Sequence, residues 1–359
     1  ASILRKISAA RGNSLPDTLA ATFSFGNDRH MRTTNRRTFL KTAAAGTGAA
    51  MMTAPRHAAA AVDAPRVVYR PLGSTGYKTS IIGFGAMNMR DEELLHAAID
   101  MGINYIDTAY VYMDGVNERV VGKVMETKRD KVFLTTKALT DDPKKVGVQI
   151  AESLKRLKTD RVDMLLFHVV NSRKQTLDER FMKEFEAAKK KGYTRFIGVS
   201  THQNQAEVLD AATESKVWES VLVGYNYTSP QEVTDAIARA RKAGLAIIGL
   251  KNLLNPQSWP WKPLADPRGK DEKTISAAQA MIKWVLQNPN VDVTIPGMTS
   301  FEQLAEDVAV MGMKMSFFDR RTLTRYADAL EGSYCRGVAG CTGRVGTCPY
   351  GLAIRDLNR

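Results

Sequence analysis

Short apolar runs alternate with amphipathic helical patterns along the sequence from Ser80 onward. The runs are rich in β-branched residues and recur roughly every thirty to forty residues. Because they are apolar almost throughout, they indicate strands buried on both faces, as in a parallel sheet. The predicted strands are Ser80–Ala86, Tyr105–Ala109, Val132–Ala138, Val162–His168, Arg195–Ser200, Ser220–Asn226, Leu245–Lys251 and Asp292–Pro296. Eight consecutive strand–helix units predict an α/β fold, a single closed (β/α)8 barrel of the TIM type.

An open, doubly wound sheet is the alternative fold for such an alternation. That fold commonly carries Gly-x-Gly-x-x-Gly after its first strand, and no such run follows Ser80–Ala86. The barrel is therefore predicted over residues 66–315, a length that α/β barrels commonly use as one domain. Asn117–Lys128 and Asp178–Lys191 are examples of its predicted helices, and Gly192 is placed to end the second.

Three segments lie outside the repeating units. Val67–Ser80 contains Gly73-Ser74-Thr75-Gly76 and predicts an N-terminal hairpin that covers the bottom of the barrel. Asn252–Lys273 fits neither the strand nor the helix period, so we expect a loop inserted after the seventh strand, at the end where barrel enzymes bind substrate. Residues 316–359 are predicted to form a C-terminal helix and an irregular tail that contains the cysteines.

The N-terminal residues 1–61 resemble an export signal. They hold nine basic and two acidic side chains, and they include Arg36-Arg37-Thr38-Phe39-Leu40-Lys41. An Ala/Gly-rich stretch and Ala58–Ala61, suited to A-x-A cleavage, follow this motif. The pattern resembles the twin-arginine (Tat) signal and predicts a disordered or cleaved leader, recognition by the Tat export machinery and a periplasmic or extracytoplasmic location. An amphipathic N-terminal helix is the alternative, but residues 42–50 offer no large side chains to bury. Residues 1–30 precede Met31, a plausible start.

The charge of the chain argues against nucleic acid as a partner once it is divided between leader and barrel. The formal net charge is +13, yet residues 62–359 hold 42 basic and 36 acidic side chains, and their basic residues form no block interleaved with aromatics. We therefore expect no nucleic-acid binding. No run of eighteen apolar residues occurs either, so stable membrane insertion is not expected.

Four proton-active side chains stand at or just after the carboxyl ends of neighbouring predicted strands: Asp107, Tyr112, Lys137 and His168. Singly, such residues more often cap helices, lie on the surface or stabilise structure. Together they converge on one barrel mouth. There an ammonium stabilises a phenolate and so lowers the pKa of the phenol, a carboxylate holds the ammonium, and an imidazole orients a carbonyl oxygen. The set suits carbonyl reduction, for which a cofactor must supply the hydride.

These residues and their surroundings resemble the aldo/keto reductase superfamily of NADPH-dependent barrels. The matching motifs are Gly83-Phe84-Gly85, the run Gly102–Ala109 leading to Tyr112, Thr135-Thr136-Lys137, Leu165-Leu166-Phe167-His168, Gly198-Val199-Ser200, Ile295-Pro296-Gly297 and Glu302–Glu306. The resemblance implies that Tyr112 is the general acid, that Lys137 and Asp107 tune it, and that His168 positions the substrate carbonyl. It implies that Ser200 bonds the nicotinamide carboxamide. The other cofactor-binding residues it implies are Gly85, Tyr225, Pro296, Gly297, Thr299, Ser300, Gln303, Glu306 and Asp307.

Some positions depart from the family pattern. Thr201 follows Ser200 where Asn is usual, and Leu222 occupies a place where Gln is common. The basic residues that often clamp the extra phosphate of NADPH are absent at Gly297, Met298 and Gln303. Glutamine cannot reproduce the bidentate contact of arginine with phosphate. NADP(H) is therefore the cofactor that the resemblance implies, and NAD(H) remains an alternative.

The C-terminal tail carries all three cysteines, Cys335, Cys341 and Cys348. Aligned on Cys348-Pro349, the ferredoxin-type spacing C-x2-C-x2-C-x3-C-P finds cysteine at only two of its four positions. The tail thus resembles a degenerate copy of the cluster motif that some aldo/keto reductase relatives carry. We expect no Fe–S cluster and no other metal site, and we favour a single disulfide in an oxidising compartment.

The leading functional hypothesis is an exported NAD(P)H-dependent oxidoreductase that reduces aldehyde or ketone carbonyls of a small molecule. A cofactor-binding regulatory or interaction barrel with little turnover is the first alternative, and an Fe–S-linked oxidoreductase is the second. The sequence does not identify the physiological substrate.

Overall fold

A computed structural model describes residues 67–253 and 276–330 of the chain, with side chains up to residue 324. Its strands are β1 (Tyr69–Pro71), β2 (Lys78–Ser80), β3 (Phe84–Gly85), β4 (Tyr105–Asp107), β5 (Phe133–Ala138), β6 (Val162–Phe167), β7 (Thr194–Thr201), β8 (Ser220–Gly224), β9 (Ala246–Leu250) and β10 (Val293–Thr294). The α-helices in these ranges are α1 (Glu92–Asp100), α2 (Val116–Lys128), α3 (Val146–Arg156), α4 (Arg173–Thr176), α5 (Glu179–Lys190), α6 (Gln205–Ser215), α7 (Gln231–Lys242), α8 (Ala277–Leu286), α9 (Phe301–Val308) and α10 (Phe317–Leu330).

Strands β3 to β10 form one parallel sheet in which sequence order equals spatial order. The first and last of these strands also meet, since Ile82 pairs with Thr294 and Gly85 with Gly297, both in parallel. The Gly83 amide donates to the Thr294 carbonyl at 2.8 Å. The sheet therefore closes on itself, and the prediction of a (β/α)8 barrel is confirmed.

The two faces of the sheet bury different sets of apolar side chains. Alternate strand residues such as Tyr105, Met164, Leu166 and Ile248 fill the barrel interior. The residues between them pack outward against the helices in a larger cluster. This period of two follows from strand geometry, and it decides which residues at the strand ends face the mouth of the barrel.

The predicted hairpin forms from β1 and β2, which pair antiparallel with Tyr69 opposite Ser80. Its turn carries Leu72, which is fully buried in the interior cluster. The Gly73 amide donates to Asp292 Oδ2 at 2.9 Å, and the Ser74 amide donates to the Gly244 carbonyl at 2.9 Å. The hairpin thus closes the end of the barrel where the strands begin, as predicted.

The predicted first strand, Ser80–Ala86, is divided in the structure. Ser80 belongs to the hairpin, and only Phe84–Gly85 continues as barrel strand β3. The Ser80 amide donates to Asn104 Oδ1 at 2.7 Å, and its hydroxyl donates to the Ile82 carbonyl at 2.8 Å. These side-chain bonds replace ladder bonds at the point where the chain turns from the hairpin into the barrel.

The two helices chosen as examples from the sequence are present as α2 and α5. The Asp178 carboxylate caps α5 by accepting from the Arg180 amide at 3.0 Å. Phe181 and Phe185 of the same helix are buried against the sheet. Gly192 has a φ of +78° after the end of the helix, where the left-handed conformation favours glycine.

Some sequence predictions fall outside the described residues. These are the leader 1–61, most of the loop Asn252–Lys273, and the tail with Cys335, Cys341 and Cys348. Among the helices of the described ranges, none combines the length and the apolarity that crossing a bilayer requires.

Candidate active site

The carboxyl ends of β4 and β5 bring three of the predicted catalytic side chains into contact. Lys137 Nζ lies 2.5 Å from Asp107 Oδ1 and donates to the Thr108 carbonyl at 2.7 Å. It also donates to the Tyr112 hydroxyl oxygen at 3.1 Å. A single ammonium group therefore links the carboxylate to the phenol.

Lys137 and Asp107 are buried at the end of the barrel interior, 1% and 3% exposed. Burial alone would lower the pKa of Lys137, but Asp107 and Tyr112 outweigh it and raise this pKa above the ordinary value. Burial raises the pKa of Asp107, while the adjacent Lys137 opposes that rise. Lys137, held by Asp107, therefore places an ammonium group 3.1 Å from the phenol oxygen.

The protonation of Tyr112 differs from the expectation. Burial raises the pKa of Tyr112 above its ordinary value; Lys137 counteracts this rise and Asp107 adds to it. The predicted lowering by the ammonium is thus only one contribution, and burial exceeds it. The phenol is protonated at neutral pH and can donate its proton.

Tyr112 stands on a short 3-10 turn, Tyr112–Gly115, between β4 and α2. Met113 and Asp114 adopt φ values of +52° and +53° in this turn, a conformation that is strained for residues other than glycine. Gly115 follows at φ +79°, and a Cβ there would lie 2.4 Å from an Arg156 nitrogen. The turn that presents the phenol is therefore held in place by tertiary contacts.

Arg156 at the end of α3 makes those contacts. Its Nη1 donates to the Tyr110 carbonyl at 3.0 Å and lies 3.3 Å from Glu118 Oε2. Glu118 is fully buried and accepts from the Thr136 hydroxyl at 2.7 Å, next to Lys137. Sequence reasoning did not select Arg156 or Glu118, because their contact joins two helices and no motif records it.

His168 follows β6 and faces Tyr112 across the mouth. The ring centroids of the two side chains lie 5.8 Å apart in an edge-on arrangement. Burial, with Lys137 and His202 contributing, lowers the pKa of His168 to about 2. The imidazole is therefore neutral at neutral pH and can give or accept a hydrogen bond. All four predicted catalytic residues lie together.

Ser200 shapes the turn that follows His168. Its hydroxyl oxygen accepts from the Val169 amide at 3.0 Å, and its carbonyl accepts from the Val170 amide at 2.7 Å. Val169 has φ +61°, which is rare for a β-branched residue. Ser200 is fully buried, and its hydroxyl keeps a proton to donate.

The predicted cofactor residues at the last strand form an exposed turn before α9. Gly85 and Pro296 are buried where β3 meets this turn, whereas Gly297 and Thr299 are exposed. The Ser300 hydroxyl accepts from the Gln303 amide at 3.3 Å, and Gln303 Oε1 accepts from the Thr299 amide at 2.7 Å. These bonds order the N-terminus of α9, a place that suits a phosphate group.

Asp307 and Glu306 continue along α9. Asp307 is 2% exposed and so faces the protein interior, not the surface, whereas Glu306 is partly exposed. Burial, and to a smaller extent Glu306, raises the pKa of Asp307 to about 8. The Asp307 carboxyl is therefore mostly protonated at neutral pH.

The prediction that Tyr225 lines the cofactor site is not supported by its placement. Its ring is 2% exposed and belongs to the cluster between sheet and helices, 5.0 Å from the Trp284 ring. Its hydroxyl bonds to Thr234 and Asn288 on the outer helical layer and its flank. Leu222 faces the barrel interior, so Tyr225, three residues on, points outward by strand alternation.

No group of three or more His, Cys, Asp or Glu side chains suited to a metal ion occurs in the part of the chain that the structure describes.

Comparison with known proteins places this geometry in a family. The sequence profile of the aldo/keto reductase family matches residues 81–257. L-galactose dehydrogenase of Arabidopsis thaliana is 27% identical over 307 residues, covering 74% of this chain and 95% of the relative. The methylglyoxal reductase YeaE of Escherichia coli is 27% identical over 280 residues, covering 73% and 93%. The aldo-keto reductase of Klebsiella pneumoniae in complex with NADPH is similar in structure, with a TM-score of 0.57 and 25% identity, covering 71% of this chain and 93% of that one.

The chain belongs to the aldo/keto reductase superfamily. It is an oxidoreductase of that family.

Two features at the mouth of this aldo/keto reductase are open to a ligand. Asn252 follows β9, and its Oδ1 is buried without a hydrogen-bond partner among the described residues. It could accept a hydrogen bond from the amide group of a ligand. Gly297 is exposed, and a Cβ there would touch nothing within 4 Å, so a ligand can approach its backbone. The residues at 297, 298 and 303 supply no positive charge for an additional phosphate.

This aldo/keto reductase carries a second histidine at the mouth that the sequence analysis missed. His202 follows β7, and its ring centroid lies 6.5 Å from that of His168. Strand alternation could have identified this residue. Every second side chain of β7, at positions 196, 198 and 200, points into the barrel, and position 202 continues that series. Lys251 at the end of β9 was also missed.

Proposed function

We propose that this protein is an NAD(P)H-dependent oxidoreductase that reduces aldehyde or ketone carbonyls of small molecules. The observation that carries the proposal is the contact of Lys137 Nζ with both Asp107 Oδ1 at 2.5 Å and the Tyr112 hydroxyl at 3.1 Å. A phenol that remains protonated, beside a fixed cation, is suited to giving a proton to a developing alkoxide. Membership of the aldo/keto reductase superfamily and the likeness to a methylglyoxal reductase support the same reaction.

The side chains of this protein have separate tasks in the proposed reaction. A bound nicotinamide supplies the hydride that reduces the carbonyl carbon. Tyr112 donates its proton to the carbonyl oxygen, and the ammonium of Lys137 stabilises the phenolate left behind. Asp107 keeps Lys137 charged in its buried position. The products are an alcohol and the oxidised cofactor, and water returns the proton to Tyr112.

His168 is proposed to orient the substrate. Its neutral imidazole lies beside the Tyr112 ring and can donate a hydrogen bond to the same carbonyl oxygen. A charged imidazole would place a second cation next to Lys137, and the positive charge of Lys137 is one reason that the pKa of His168 is low. Orientation of the carbonyl does not require that charge.

NADP(H) is proposed as the cofactor, with NAD(H) as the alternative. The similar Klebsiella pneumoniae structure contains NADPH, which favours NADP(H). The absence of basic residues at Gly297, Met298 and Gln303 favours a weaker distinction between the two nucleotides. We expect Ser200 to contact the nicotinamide and the turn Gly297–Ser300 to contact a phosphate.

The test is a steady-state assay of the purified protein with each nucleotide and a panel of aldehydes and ketones. The expected result is substrate-dependent oxidation of NADPH, with weaker or equal use of NADH. Failure of every carbonyl compound to oxidise either nucleotide would contradict the proposal.

A cofactor-binding barrel with little turnover is the second candidate, favoured by the missing basic residues at the phosphate end. A single-turnover measurement separates the two candidates. One equivalent of carbonyl reduced by preloaded cofactor, followed by no further reaction with excess NADPH, would favour the second; continued turnover would favour the first.

A further inference from the structure

One side of the mouth carries an imidazole that the proposed carbonyl chemistry does not use. His202 neighbours His168, with 6.5 Å between their ring centroids, and the His168 ring in turn lies 5.8 Å from the Tyr112 ring. His202 Nδ1 is buried and has no hydrogen-bond partner within the described ranges. A polar side chain left unpaired at the mouth is a candidate for ligand recognition.

A lysine, Lys251, stands at the same end of the barrel. It follows β9, is exposed, and has φ +53°, a strained conformation for lysine. Asn226 Nδ2 donates to the Lys251 carbonyl at 3.2 Å and so helps to fix this backbone. Within residues 67–253 and 276–324, no carboxylate forms an ion pair with Lys251.

The two side chains interact electrostatically. Burial, followed by the charges of Lys251 and Lys137, lowers the pKa of His202 to about 4. The Asp107 carboxylate is occupied by Lys137. The side of the mouth next to His202 is therefore electropositive, and a negatively charged ligand group would be stabilised there.

We propose that the preferred substrates are aldehydes or ketones that carry a carboxylate, bound by Lys251 and His202 while Tyr112 and His168 contact the carbonyl oxygen. This inference rests on the proposed carbonyl reduction and adds a substrate class to it. The 6.5 Å between the rings of His168 and His202 favours a carboxylate several bonds away from the carbonyl carbon.

The experiment compares para-carboxybenzaldehyde with its methyl ester, which has the same ring and carbonyl but no charge. The kcat/KM of each is measured with NADPH and NADH for the full chain, for Lys251→Met and for His202→Phe. Lys174→Met, which removes an exposed lysine from α4, is the matched control for loss of charge.

We expect the unsubstituted protein to prefer the acid about two- to fivefold, mainly through a lower KM, as one exposed charge pair provides. Lys251→Met should bring the ratio of acid to ester close to one, His202→Phe should reduce it, and the control should leave it unchanged. Added salt should reduce the preference, because it screens the charge.

The outcomes separate this inference from the function it rests on. If neither compound is reduced and no other carbonyl is, the proposed function fails. If both are reduced with equal kcat/KM, only the carboxylate preference fails. NADPH binding is measured separately, from nucleotide fluorescence in the absence of substrate. If Lys251→Met weakens this binding and leaves the acid-to-ester ratio unchanged, Lys251 binds the cofactor phosphates and the inference is overturned.

Discussion

Tyr112 illustrates how two opposing effects on one side chain suit it to acid catalysis. Burial raises its pKa and keeps the phenol protonated before the reaction, although Lys137 lies 3.1 Å from the hydroxyl oxygen. The same ammonium stabilises the phenolate once the proton has left. Burial therefore keeps the phenol protonated at rest, and Lys137, held by Asp107, stabilises the phenolate after transfer.

Replacing Tyr112 by Phe should lower kcat/KM for carbonyl reduction by about 10²- to 10⁴-fold, because only the proton donor is removed. The Kd for the nucleotide, measured by fluorescence titration, should remain within about twofold of that of the unsubstituted protein, since the ring is kept. Tyr69→Phe, at an exposed tyrosine of the hairpin, is the matched control. Turnover that survives in Tyr112→Phe would show that another group donates the proton.

Asp307 is a second residue whose environment determines its charge. Its folded-state pKa of about 8 lies above the ordinary value of 3.8, because the carboxyl is buried. The folded protein therefore keeps a proton that the unfolded chain releases. For such a group, stability is greatest below the unfolded pKa and falls as pH rises towards the folded pKa.

Asp307→Asn should therefore stabilise the protein by about 2–4 kcal/mol at pH 8, because the amide stays neutral without holding a proton. The gain should shrink as pH falls towards about 4. Urea unfolding at pH 5 and pH 8 measures both values, and Asp141→Asn at an exposed site is the control. A gain that is equal at the two pH values would show that Asp307 does not titrate between them.

At the scale of elements, the strained turn after β4 depends on a neighbour that is distant in sequence. Arg156 of α3 contacts the Tyr110 carbonyl and Glu118, and Gly115 packs against its guanidinium. Met113 and Asp114 keep their left-handed conformations in this setting. The position of Tyr112 is thus determined by helix packing as well as by its own strand.

Arg156→Met should reduce kcat about tenfold, because a small displacement of the phenol is costly in a site that acts by orientation. The KM for nucleotide should change little, and Arg156→Lys should restore part of the loss. The pH profile of kcat distinguishes two explanations. A positioning role shifts the apparent pKa at which Tyr112 loses its proton, whereas general destabilisation reduces the active fraction and leaves the shape of the profile unchanged. Lys155→Met, exposed on the same helix, should behave like the unsubstituted protein.

The sequence identifies the barrel and the catalytic cluster for a physical reason. Strands buried on both faces are apolar throughout, so all eight were found, and the mouth collects residues from successive strand ends. The shift of Ser80 into the hairpin and the contact of Arg156 with the Tyr112 turn were not predicted, because they depend on side chains far apart in the chain. The outward direction of Tyr225 and the inward direction of His202 were predictable from strand alternation alone.

At the scale of the whole molecule, the proposed export by the Tat pathway depends on residues outside the barrel. Arg36→Lys together with Arg37→Lys should cause the full-length precursor to accumulate in the cytoplasm, because the arginine pair is the recognition feature of this signal type. Cell fractionation and immunoblotting measure the distribution, and Arg32→Lys is the control. Unchanged export of the double variant would argue against this pathway.

Closure of the barrel also has a consequence for synthesis. The amide of Gly73 is bound by a carboxylate 219 positions further along the chain, and β3 completes the ring only by meeting β10. Almost the entire barrel must therefore leave the ribosome before the hairpin can close its lower end and before β3 can pair with β10. Until then the early strands remain without their final neighbours, so the nascent chain depends on rapid completion or on chaperones to avoid aggregation.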